Sequence, residues 1–95
     1  MRAAAHAPEC AGDVIPAPIQ RRVDQATTVI NRGAAATSAT KERKFVRQAA
    51  TLLKKAAHLT GSAGRRGKVS PACSGTLAAL LDDGGNRAAR FAATL

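Results

Sequence analysis

Nine cationic side chains, Lys41, Arg43, Lys44, Arg47, Lys54, Lys55, Arg65, Arg66 and Lys68, lie within 28 consecutive residues that contain one acid, Glu42. That stretch carries +8 of the chain's formal net charge of +9. The chemistry open to such a cluster is electrostatic. Ammonium and guanidinium groups displace mobile counterions from a polymer of phosphates, and arginine adds paired hydrogen bonds to the phosphate oxygens. All five lysines of the chain fall inside this segment. Their confinement is informative because Ala, Arg, Gly and Pro make up 45 of 95 residues, the mixture that a GC-rich coding sequence produces. Such a bias accounts for arginine anywhere but depletes lysine everywhere, so it does not account for five lysines in one block. A frame under no selection would share the overall composition, and failure to detect the product in its host would favour that reading.

Other chemistries lack their residues. General acid and base catalysis needs two titratable groups held in different environments. Asp82 and Asp83 are adjacent and expected in a solvated turn, His6 falls in an Ala/Pro-rich leader, and His58 falls among the cations. Cys10 and Cys73 belong to no Cys-x-x-Cys pair and read as two unpaired, reduced thiols. Cys73 beside Ser74 near a helix start has no base fixed near it in sequence. No catalytic residue, metal ligand set or cofactor is therefore expected. The run from Gly61 to Ser70 contains a Gly-Lys pair, but Ser62 stands where a phosphate-cradling loop needs glycine and Val69 where it needs a hydroxyl. It reads instead as a glycine-loosened basic arm over residues 60–70.

The elements that would position these groups are helical. Residues 1–18 read as a disordered leader, broken by prolines and polar residues and so lacking the apolar run of a signal peptide. Ile19, Val23, Ala26 and Ile30 repeat at helical spacing over residues 19–32, with Pro18 in the first turn and Gly33 as the stop. Residues 33–40 read as a linker. Residues 41–59 form the clearest helix, with Thr40 as its cap, Glu42 in its first turn and Gly61 as its stop. On it Phe45, Ala49, Leu52, Leu53, Ala56 and Leu59 take one side and the cations the other. Ser70 followed by Pro71 opens a helical hairpin over residues 71–95, with a turn at Asp82 to Gly85. The segment from Leu80 to Arg90, with its Gly84-Gly85-Asn86 turn before an Ala/Arg-rich helix, resembles the opening of a helix-turn-helix of the factor-for-inversion-stimulation type. The resemblance implies a bend at Gly84 and Gly85. It covers under a fifth of the chain, which stops at Leu95 before a helix that could enter a major groove.

The expected fold is thus small and all-α, with three to four short helices and a weak or absent common core. Leu, Ile, Val and Phe total 17 of 95 residues, below the roughly 20 per cent that marks disorder at high net charge. The expected function is binding of a DNA or RNA backbone without sequence specificity. An alternative is a partner helix or second copy docking on Phe45, Leu52, Leu53 and Leu59; a solvated structural helix and a peripheral binder of anionic membrane surfaces also fit. No run of about 18 apolar residues occurs, and the cytoplasm is the expected compartment.

Overall fold

The computed structural model describes residues 8–95, so the expectations placed on residues 1–7, His6 among them, lie outside it. A 3-10 turn at Pro8–Cys10 precedes three helices: α1 (Ala17–Ala34), α2 (Ala39–Arg65) and α3 (Pro71–Ala93). The described chain is all-α. Helix α2 is the middle member and packs against both others. Both neighbours run antiparallel to it: Gly33 near the end of α1 meets Phe45 and Val46, while Gly85 near the end of α3 meets Ala50 and Lys54.

Apolar residues at helical spacing make a thin common core. Ile19, Val23 and Ala26 of α1 meet Leu53, Ala56 and Ala63 of α2 and Cys73, Leu77 and Leu81 of α3. Small residues carry much of this contact, which lets few large side chains suffice. Thr60 is fully buried among them, and its hydroxyl donates to the Ala56 carbonyl at 2.7 Å, so its polar group is satisfied inside its own helix. Ile30, the fourth member of the α1 repeat, is more than a third exposed.

Several boundaries differ from the sequence expectation, each for an identifiable reason. Helix α2 begins after Ser38, whose hydroxyl accepts from the Lys41 amide, rather than after Thr40. It continues through Gly61 to Arg65, because Ala63 is buried and Gly64 lies where an added Cβ would overlap the Ser74 side chain. The stop is Gly67, with φ of 71°: the Lys68 amide donates to the Ala63 carbonyl at 2.9 Å and the Gly67 amide to Gly64 at 3.1 Å. Those two bonds satisfy the last carbonyls of the helix through a left-handed glycine. The first half of the expected flexible arm is therefore helix, and the rest is a short tight connection.

Gly33, expected as a stop, is buried within α1 against the Cβ of Phe45. The expected hairpin over residues 71–95 is one continuous helix, so the bend that the helix-turn-helix resemblance implies does not occur. Asp82 pairs with Lys54, Asp83 pairs with Arg87 one turn on, and Gly85 lies directly against α2. The Ser70 cap and the Pro71 start are found as expected, with the Ser70 hydroxyl accepting from the Cys73 amide.

Residues 8–16, placed by sequence within the disordered leader, are tied down at two points. Cys10 and Cys73 form a disulfide with their Cα atoms 4.5 Å apart, and both are buried, which corrects the expectation of two free thiols. The Asp13 carboxylate accepts from both the amide and the hydroxyl of Ser70, at 2.9 Å each. A carboxylate is favourable there because the first turn of α3 presents unsatisfied amides and the positive end of the helix dipole.

Candidate polyanion-binding face

Successive residues of α2 point about 100° apart, and its burial pattern uses that rotation fully. Val46, Ala49, Ala50, Leu53, Ala56, Thr60 and Ala63 turn inward. Lys41, Lys44, Arg47, Lys55 and Arg65 are exposed, Arg43 is half-buried, and Arg66 and Lys68 are exposed in the connection that follows. The apolar residues expected to meet a partner helix are partly taken up within the chain. Leu53 is buried, and Leu52 and Leu59 pack on the core from its edge. Phe45 is half-buried with its Cβ against Gly33.

The seam between α1 and α2 gathers most of these cations into one surface. At one end Arg32 faces Lys41 and Lys44 across a shallow groove floored by Phe45. Further along, Arg47 borders a groove with Val29 and Leu52. At the other end Arg21 and Arg22 approach Leu59, and His58, Arg66 and Lys68 border the neighbouring hollow beside Pro16 and Pro18. Asp24 and Glu42 are acids on this seam: Asp24 accepts a hydrogen bond from Gln20 at 2.9 Å, and Glu42 lies between Lys41 and Lys44 with its backbone beside Gly33.

Arg21, Arg22 and Arg32 were not among the residues singled out from the sequence, because residues 1–40 have a net charge of only +1. A signal was present: Arg21 and Arg32 are separated by 11 residues, three helical turns, which sets them on one face of α1. The signal becomes meaningful once that face adjoins the cations of α2.

Lys54 stands apart from the other predicted residues. Its Nζ lies 2.7 Å from Asp82 Oδ1, so the structure turns it toward α3 and a carboxylate. The α3 helix itself balances Arg87 and Arg90 against Asp82 and Asp83.

The chain matches no family model, no curated protein and no solved structure.

What the face can do follows from its own chemistry. Helix α2 is 27 residues long, about 40 Å at 1.5 Å per residue, and its exposed edge offers donors along that length with little acidic opposition. Uncharged Gln48 and Thr51 lie between Lys44, Arg47 and Lys55, and all three cations are exposed to an extended anion. No described helix is long and apolar enough to cross a membrane.

Proposed function

We propose that this protein binds the phosphate backbone of nucleic acid without sequence specificity, through the face that α1 and α2 share. The observation that carries the reading is the segregation of charge. Arg21, Arg22, Arg32, Lys41, Lys44, Arg47, Lys55, Arg66 and Lys68 border one seam or its exposed edge and outnumber Asp24 and Glu42 there, whereas Asp82 and Asp83 lie on α3. Phosphate contacts of this kind set affinity and position but read no bases, and the reading is of a binding protein rather than an enzyme.

Binding to duplex DNA across a salt series tests it. Neutralising about 4 to 6 phosphates gives log K falling against log salt with a slope of about −4 to −5, equally for unrelated sequences. A slope near zero, or no binding in dilute buffer, overturns the reading. The membrane-surface alternative is less well supported, because the apolar side of α2 is turned into the bundle and would have to be withdrawn from α1 and α3 to enter a bilayer.

The disulfide bears on where this binding takes place. Such bonds persist in oxidising surroundings and are rare in the reduced cytosol, so Cys10–Cys73 supports a site of action outside the expected cytoplasm. Trapping the thiols by alkylation during lysis of the host decides the point. A fully modifiable pair would restore the cytoplasmic expectation.

A further inference from the structure

Where the start of α1 passes the end of α2, the seam deepens into a hollow of about 460 Å³, within the range of about 300 to 1,000 Å³ that small-molecule sites occupy. Of the grooves along the seam described above, this one alone reaches buried core residues, Ile19 and Ala63. Leu59, Pro16 and Pro18 complete an aliphatic floor and wall. His58, Arg66 and Lys68 stand on the rim, all exposed, and no carboxylate lines the hollow. Neither Arg66 nor Lys68 makes a side-chain hydrogen bond or ion pair among the described residues, whereas the adjacent Arg65 is held by Ser62 at 3.1 Å. Two free cations therefore border an apolar floor that opens to solvent.

We propose that this hollow binds a single-tailed aliphatic anion, a carboxylate or phosphate monoester whose head group meets Arg66 and Lys68 and whose chain lies over Leu59 and Ile19. Charge complementarity selects the anionic head, because two cations and an imidazole meet no acid there. The floor selects the tail. A nucleobase held in such a hollow would be expected to stack on an aromatic ring, and the lining contains no Phe, Tyr or Trp. An aliphatic chain needs only branched and cyclic apolar surface, which Leu59 and the two prolines provide above the buried Ile19. The proposal is independent of the nucleic-acid reading, which uses the whole seam and requires no cavity.

Calorimetric and heteronuclear NMR titrations of the full chain test it, with decanoate and decyl phosphate kept below their micelle concentrations. Both probes should bind saturably, at least tenfold more tightly than inorganic phosphate and than decanol. Amide shifts should centre on Ile19, Leu59, Ala63 and Lys68. Arg66→Gln with Lys68→Gln should weaken both probes at least tenfold with helicity unchanged by circular dichroism, since neither side chain is packed. Equal affinity for inorganic phosphate would leave only an ionic patch, and equal affinity for decanol only an apolar one; either result overturns the proposal. So does a shift map centred elsewhere on the wild-type chain, a readout that does not depend on any variant folding.

Discussion

On the α3 side, Lys54 and Arg87 each have a carboxylate within 3 Å, and Arg90 completes a helix of zero net charge. On the α1–α2 face, Arg47, Lys55 and Arg66 have no acidic partner among the described residues. The two sides share one core, yet the charges of α3 balance while the α1–α2 face keeps a cationic excess. The difference teaches that the net charge of +9 is a directional property of this molecule. It also separates two tasks. To the close glycine approaches that both neighbours make to α2, the α3 side adds the disulfide and the Asp13–Ser70 contact, and so does more to fix the fold. The α1–α2 face carries the unpaired cations, and so would carry binding.

The largest effect expected from this division is on stability. Cys10→Ser with Cys73→Ala opens a loop of 63 residues, and loop entropy alone sets the loss at about 4 kcal/mol. Urea denaturation should register that loss, while the salt slope for DNA stays unchanged under conditions where the variant remains folded. A changed slope would break the separation.

Binding comes next. Arg47→Gln with Lys55→Gln should lower the magnitude of the DNA salt slope by about 2 and weaken binding about tenfold or more in low salt. Arg87→Gln with Arg90→Gln removes the same formal charge and should leave the slope nearly intact. Equal losses from the two pairs would mean that net charge, and not its placement, governs association.

A smaller contrast lies within α3. Gly75 has nothing within 4 Å of an added Cβ, so Gly75→Ala should stabilise the protein by about 1 kcal/mol through helix propensity alone. Gly85→Ala would set a Cβ 3.2 Å from the Ala50 carbonyl oxygen and 3.1 Å from Lys54 Cγ. Crowding of this kind costs about 1 to 3 kcal/mol, so this variant should be the less stable of the two in thermal melts, by at least 1 kcal/mol.

The smallest effect concerns two neighbours. Lys54→Gln should weaken DNA binding less than Lys55→Gln, because Asp82 already offsets the Lys54 charge. Its effect on stability should be below about 1 kcal/mol, the usual range for an exposed pair.

Local patterns were legible in the sequence wherever one segment contains the whole physical cause. The α1 positions Ile19, Val23 and Ala26 are buried as their spacing requires, and the two-sided character of α2 needs only its own residues. Ser70 and Pro71 announce a helix start through a hydroxyl and a missing amide hydrogen. Glycines were misread because glycine serves two unrelated purposes. Gly67 ends a helix through positive φ, whereas Gly33, Gly64 and Gly85 allow a second helix to come close, and only the distant partner distinguishes these uses. The cysteine pairing and the acidic partner of Lys54 were hidden for the same reason, since both join residues remote in the chain. Of the candidate face, the α2 half and the connection after it were visible in the clustering of lysines. The α1 half required knowing which side of that helix lies next to α2.

The covalent bridge has a further consequence for the life of the molecule once a protease finds it. A single peptide bond cut anywhere between Cys10 and Cys73, the exposed turn at Ala35 to Ser38 included, leaves two fragments still joined through sulfur. The nicked chain would keep its mass on a non-reducing gel and fall into two bands only when a thiol is added, so damage to the backbone need not mean loss of the piece that bears the cations.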